Sequence, residues 1–459
     1  MILTFFDLLV GFKSLPKLKK LEILNLGYNQ FNKTNIKQLS GFTSLKTLAI
    51  SNSNIEGFFP FEDFASLSNL EILDLSYNSF NGIVSSSIRL KSSLKSLSLV
   101  GNRLNGSLQY QGFCQLNKLQ ELDLSYNLFQ GILPPCLNNF TSLRLLDLSS
   151  NLFSGNLSSP LLPNLTSLEY INLSYNQFEG SFSFSSFANH SKLQVVILGS
   201  DNNKFEVETE YPVGWLKGLT LSSCKLTGDL PGFLQYQFRL VGVDLSHNNL
   251  TGGFPNWLLE NNMRLEVLVL RNNSLMGQLL PLGPNTCISS LDISHNQLDG
   301  QLQENVGHMI PNMKYLNLSN NGFEGILPSS IAEMGSLGAL DLSANNFSGE
   351  VPKQLLATKD LGILKLSNNK FHGEIFSGDF NLTWLDFLYL DNNQFTGTLS
   401  NVISRSSRLW VLDVSNNYMS GEIPSQIGNM TYLITLVLGN NSFKGKLPPE
   451  ISQLQRFVH

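Results

Sequence analysis

A short pattern, LxxLxLSxNxFxGxIP, returns eighteen times along 459 residues at intervals of 23 to 25. It reads LEILDLSYNSFNG from Leu70 to Gly82, LQELDLSYNLFQG from Leu119 to Gly131 and LWVLDVSNNYMSG from Leu409 to Gly421. A fixed period of this length constrains the fold more than any other property, because each repeat is one small unit that buries its apolar face only against its neighbours. The chain is therefore read as a solenoid.

Aligned on the residue that ends LSxN, the repeats fall at 29, 53, 78, 102, 127, 151, 176, 201, 224, 248, 273, 296, 321, 345, 369, 393, 417 and 441, and fifteen of these are Asn. Before each comes an apolar, polar, apolar stretch such as Leu73, Asp74 and Leu75, whose period of two sends both Leu to one face of a strand. Equivalent strands recur only after a full turn of chain, so they stack in parallel with the Leu columns inward. The ladder Asn is expected to bond the backbone of its own turn and of the next repeat, since its amide carries donors and an acceptor. Two residues later a large apolar residue, Phe31, Phe80, Phe129, Phe153, Phe178, Phe323, Phe347, Phe371, Phe395 or Phe443, predicts a second internal column. Four residues after the ladder position sixteen repeats carry Gly, as a backbone with positive φ requires. These columns make fold and are silent on function.

The organisation expected is a segment 1–20, read as the back half of a preceding repeat or a degraded N-terminal piece, followed by one array over 21–459 with an irregular repeat around 201–223. The array starts and stops mid-pattern, which reads as a piece of a longer protein. Met1 to Phe12 is apolar but is interrupted by Asp7 and lacks the basic start and small-residue cleavage site of a signal peptide. No stretch reaches the ~18 apolar residues that span a bilayer. A net charge of −5 from 30 basic and 35 acidic residues gives no electrostatic footprint for nucleic acid or an anionic membrane.

Four Cys are no disulfide framework. Cys114 and Cys136 lie on the outer connections of adjacent repeats, within conceivable bridging reach, and whether they pair is left open. Cys224 takes a ladder slot and is expected to be buried; Cys287 is expected to be unpaired. Fourteen N-x-S/T sequons occur where random order gives about 8, a modest excess that favours a secreted, glycosylated surface. The acceptor candidates are Asn32, Asn105, Asn139, Asn156, Asn164, Asn189, Asn249, Asn346, Asn381 and Asn429, whereas Asn172 and Asn317 fall on strands and Asn272 and Asn440 beside the ladder.

The Gly-x-[IL]-Pro after the Phe resembles the plant extracellular class of leucine-rich repeat rather than the longer cytosolic units. Within that class, Phe61 to Gly82, Gly112 to Asn151 and LKGLTLSSCKLTGDLP from Leu216 to Pro231 are similar to the large receptor-like proteins of plants, and Cys224 in the ladder slot is typical of them. The resemblance covers essentially the whole chain. It implies an α/β repeat solenoid of about 18 repeats, a right-handed superhelix with a parallel sheet on its concave face. It also implies a non-catalytic ectodomain at the outer side of the plasma membrane, or secreted to the apoplast. Such an ectodomain binds an extracellular peptide, protein or glycan and signals in defence or development through adaptor and co-receptor leucine-rich-repeat kinases. No nucleic acid is implied, and membrane attachment only through a segment this sequence does not contain. A secreted inhibitor resembling polygalacturonase-inhibiting proteins and the ectodomain of a receptor kinase stand as alternatives.

Function must lie where packing does not dictate the residue, at the exposed strand positions. The middle position is Asp in seven coils (Asp74, Asp123, Asp147, Asp244, Asp292, Asp341, Asp413), read as a solvated consensus with a cation track as the alternative. Departures from consensus cluster late, at Lys365, Phe387, Tyr389, Asp391 and Trp410, with Arg271 further up; aromatics flanked by charge are the usual make-up of a binding hot spot. The irregular repeat Asp201 to Trp215 is a second candidate, as a loop excursion or an eroded coil. No catalytic, cofactor-binding or metal residue is assigned: His247 and His295 are two coils, roughly 10 Å, apart, and no phosphate loop or nucleophile elbow appears.

Overall fold

A computed structural model describes residues 20–31, 38–58, 64, 66–83, 93–108, 113–157, 161–200, 204–210, 213–279, 287–377, 384–399, 403, 406 and 408–454. The segment 1–19 of the sequence reading lies outside them. The chain divides into two compact units, 1–226 and 227–459.

Among the described residues each unit carries nine inner strands, most of three residues, one per repeat. In the first they run from Ile23–Asn25 to Gly218–Ser222 and in the second from Gly242–Asp244 to Thr435–Val437. Within a unit neighbours pair in parallel and without slippage, so Leu73 faces Leu48 and Leu97, and Leu340 faces Leu316 and Leu364. The central residue of each is almost always fully buried, with Leu48, Leu73, Leu122, Leu146, Leu268, Leu340 and Leu412 all at 0% exposure. The return segments are short 3-10 turns and single-turn helices such as Pro135–Asn139, Ser329–Glu333 and Asn256–Asn261, which bury one or two apolar residues each. At 23 to 25 residues per coil there is no room for a full helix, which at ~1.5 Å per residue needs about ten residues to make three turns.

The ladder works as expected in kind but not in direction. Asn127 is buried, its Nδ2 donating to the carbonyls of Leu124, Ser125 and Leu99 and its Oδ1 accepting from the Leu104 N–H. Leu99 and Leu104 belong to the preceding repeat, not the next, and Asn151, Asn345 and Asn417 repeat the geometry. The expectation is corrected because the chain leaves the strand toward the turn just completed, so the orphaned groups within reach are those of the coil before.

The Phe column is observed in each unit: Phe129 stacks on Phe153 at 6.1 Å, and Phe323, Phe347, Phe371 and Phe395 follow at 6.2, 6.0 and 6.3 Å, with near-parallel planes. Around it runs a second set of parallel strands that the sequence reading did not foresee. In the first unit they are seven, from Glu56–Phe58 to Phe205–Glu208; in the second the longest set is six, from Met276–Gln278 to Gln394–Phe395. In these the Phe of one coil faces the positive-φ Gly of the coil before, as Phe80 faces Gly57 (φ 101°) and Phe347 faces Gly325 (φ 80°).

Candidate ligand- and partner-binding surface

The late cluster lies in the second unit on three consecutive inner strands, Ile363–Lys365, Phe387–Tyr389 and Val411–Asp413. Their register places Asp341, Lys365, Tyr389 and Asp413 in one row and Ile363, Phe387 and Val411 in the next but one. The alternation of the strand thus turns Lys365, Phe387 and Tyr389 away from the Leu core. Lys365 Nζ sits 3.5 Å from Asp341 Oδ2 and 5.7 Å over the Tyr389 ring. Phe387 leans on Trp410, whose ring is 6.5 Å away. Asp391 accepts from the Ser367 hydroxyl and, at 2.6 Å, from Asn392 Nδ2.

Two members were missed. Arg408 makes a two-pronged pair with Asp386 at 3.2 and 3.4 Å and covers the Trp384 ring at 5.6 Å, and Trp384 is 52% exposed. Both precede their strands, outside the xxLxLxx window searched, and the signal was the rare Trp itself, one of four in the chain. Arg271 does not join the cluster: it occupies the position of Asp391 five coils earlier, roughly 24 Å away by strand spacing. What remains is a patch whose cations are already paired with in-chain acids while its rings stay accessible. Its contact chemistry is apolar and aromatic, with charge fixing ring orientation.

The acidic stripe has a local reason that the solvated reading lacked. In each of the seven coils the Asp Oδ1 accepts from the N–H of the Ser two residues on, and in most also from its hydroxyl, as in Asp74 with Ser76 and Asp413 with Ser415. Asp147 and Asp292 are buried. Asn172 Nδ2 and the Tyr170 hydroxyl donate to Asp147 Oδ2 at 3.1 Å each, and Asn317 and Tyr315 repeat this on Asp292 at 3.2 and 3.4 Å. Burial, then the Asp147 charge, pushes the Tyr170 phenol up to about 12. Burial first, with Asp147 and Asp74 adding repulsion, holds the Asp123 carboxyl above its ordinary range.

The described part of the irregular repeat keeps its place in both sets of strands, with Phe205–Glu208 in the outer set and Gly218–Ser222 in the inner. Two extra residues precede Phe205, which still faces Gly180 and stacks on Phe182 at 6.4 Å, on a strand Phe205–Glu208 whose Phe205 and Val207 are buried. Asp201 itself lies outside the described residues. Beside this repeat, on the flank of the first unit, is a cavity of about 590 Å³ lined by Tyr175, Leu152, Ile132, Gln177, Glu179 and Lys204 among others.

Cys114 and Cys136 are disulfide-bonded, with Cα atoms 5.6 Å apart; Cys224 is buried and Cys287 exposed. Of the sequons, Asn105, Asn139, Asn156, Asn164, Asn189, Asn249, Asn346 and Asn429 are exposed, whereas Asn172 is half-buried and Asn317 buried in the Asp networks just described. Asn32 and Asn381 lie outside the described residues. Among the described residues no helix is long and apolar enough to cross a membrane.

The parallel inner strands, the Asn ladder and the Phe column define a leucine-rich-repeat protein. The Leucine rich repeat family pattern matches residues 92–153 and 286–347, and the single-unit Leucine Rich Repeat pattern matches 69–90, 167–189, 239–261, 408–430 and 432–454. The chain belongs to this family. Among curated proteins it is similar to Receptor-like protein 9a of Arabidopsis thaliana, 51% identical over 332 residues, which is 72% of this chain and 35% of that protein. The chain thus spans about a third of that relative's length. Among solved structures it is similar to the ectodomain of the Arabidopsis receptor kinase HAESA in complex with an N-terminally extended IDA peptide hormone, with a TM-score of 0.76 and 28% identity. That match covers 96% of this chain and 78% of the other. HAESA in complex with IDA and the co-receptor SERK1 matches with a TM-score of 0.73, 28% identity and the same coverage.

Proposed function

We propose that this chain is the ligand-recognition array of a plant receptor-like protein, acting at the outer side of the plasma membrane without catalysis of its own. It binds a peptide or protein ligand and a co-receptor kinase, and the patch built by Trp384, Phe387, Tyr389 and Trp410 is the docking surface. The observation that carries this reading is the pre-pairing of Lys365 and Arg408 with Asp341 and Asp386, beside the Tyr389 and Trp384 rings, which reduces the ordering these rings need on binding. The likeness to ectodomains solved with a peptide hormone and with a co-receptor supports it. Arg271, too distant to share a small ligand with the patch, is assigned to an extended ligand or to none.

The test is retention by the immobilised chain of a defined library of secreted plant peptides, with and without the SERK1 ectodomain. Tyr389→Ala/Trp410→Ala is expected to lose the retained species by about a hundredfold or more, as loss of two hot-spot rings implies, with an unchanged thermal melt. Equal retention by the double variant removes the patch from the mechanism.

A further inference from the structure

In the first unit the residue just before the ladder Asn adopts the left-handed conformation, and in alternate coils it is tyrosine. Tyr28, Tyr77, Tyr126 and Tyr175 have φ of 58, 53, 54 and 53° and are 82, 54, 62 and 60% exposed. A bulky residue at positive φ is costly, and Asn or Gly fills the same slot elsewhere at less cost. Burial does not explain the choice, since the rings are mostly in solvent.

The row is regular. Each Tyr stands five residues after the first residue of its inner strand, and those strands pair coil by coil without slippage from Ile23 to Tyr170. The intervening coils place Asn52, Gly101 and Ser150 at the same slot. Successive rings are therefore two strand steps, roughly 10 Å, apart. The Tyr77 ring packs against Gly101, where an added Cβ would stand 2.7 Å from its Cδ1. The last ring, Tyr175, forms one wall of the 590 Å³ cavity, whose Glu179 and Lys204 give it no net charge while Gln177 and Ser154 add neutral polar groups.

We propose that this row is a binding platform for an extended β-1,4-linked hexosyl chain, with the Tyr175 cavity holding one end. In such a polymer every second sugar presents the same face, and that disaccharide repeat has the length of two coils. The apolar C–H face of each such sugar lies on a Tyr ring, and the phenol hydroxyls and the polar cavity wall meet its hydroxyls. The absence of net charge in the cavity suits an uncharged polymer. An extended peptide strand repeats at roughly 6.7 Å and falls out of step. A proline-rich helix has a pitch of about 9.3 Å, but it offers neither hydroxyl nor N–H to the polar cavity wall of Gln177, Glu179 and Lys204. This site is separate from the late aromatic patch, and failure of the Tyr389/Trp410 experiment leaves it standing.

Titration calorimetry of the full chain with cellohexaose, maltohexaose and decaproline tests it. Cellohexaose is expected to bind, and maltohexaose, whose α-links coil the same sugars out of register, and decaproline are expected to bind at least about tenfold more weakly. Tyr77→Asn/Tyr126→Asn, which suits positive φ, is expected to weaken cellohexaose about tenfold or more, as removal of two stacking rings implies, with an equal or higher Tm. Absence of cellohexaose binding at millimolar concentration overturns the proposal, as does equal binding of either control or of the double variant. Sedimentation showing a dimer that the double variant dissolves assigns the row to a second copy of the chain and overturns it as well.

Discussion

The slot before the ladder Asn is filled differently in the two units. The first sets four exposed tyrosines there; the second sets His247, Asn272, His295, Asn320, Ala344, Asn368, Asn392, Asn416 and Asn440, all at positive φ. Asn272 and Asn320 bond His247 and His295 at 3.0 and 3.3 Å, and Asn440 bonds Asn416 at 2.6 Å. The second unit thus uses residues that tolerate the conformation and tie one coil to the next. The columns differ in the same sense: four Phe stack without interruption from Phe323 to Phe395, while the first unit shifts to Phe205 through a two-residue insertion. The same left-handed slot thus carries exposed rings in one unit and coil-to-coil bonds in the other.

The largest effect that sharpens this contrast is removal of a mid-column ring. Phe347→Ala, with an aromatic neighbour on each side, is expected to cost about 4 kcal/mol, and Phe205→Ala measurably less, both read from urea melts. Equal costs would show the columns to be equivalent. Asn127→Ala, which strands three carbonyls and one amide, should follow at about 3 kcal/mol.

The first unit carries a buried histidine with a shifted pKa. His190 is buried against Phe187, and burial, opposed by the nearby backbone of Leu162 and Phe187, holds its pKa below the ordinary imidazole value. The unfolded chain then binds a proton that the folded one refuses. Stability contributed at neutral pH is lost as pH falls below about 6.5, by at most about 1.4 kcal/mol per pH unit. His190→Phe should flatten Tm between pH 7.5 and 5.5; an unchanged slope would locate the titration elsewhere.

The smallest effect concerns Asp123. Its raised pKa means the folded state resists ionisation, so stability falls as pH rises through the carboxyl range. Asp123→Asn keeps the bond to Ser125, as Asn172 does with Ser174. It should raise stability at pH 7 by about 0.5 kcal/mol and do nothing at pH 3.

The Leu, Asn, Phe and Gly columns were legible because each recurs at one offset and each is a packing demand. The outer strands were not, although Phe-x-Gly-x-Ile alternates with period two, because a Gly at positive φ in mid-pattern reads as a turn and not as a strand. The left-handed slot escaped notice because Tyr hides a preference that Asn, Gly and His reveal. Of the site, Lys365, Phe387, Tyr389 and Trp410 stood out as departures from consensus. Arg408 and Trp384 did not, since their partnership crosses from one coil to the next and no single repeat displays it.

A ladder Asn such as Asn127 clasps the coil behind it, so the footprint of a lesion is displaced. With Asn127 truncated, the amide set free for hydrogen exchange is that of Leu104, 23 residues upstream. A substitution in one coil would therefore register in its predecessor, and a map of loosened amides would point to the fault by running one repeat ahead of it.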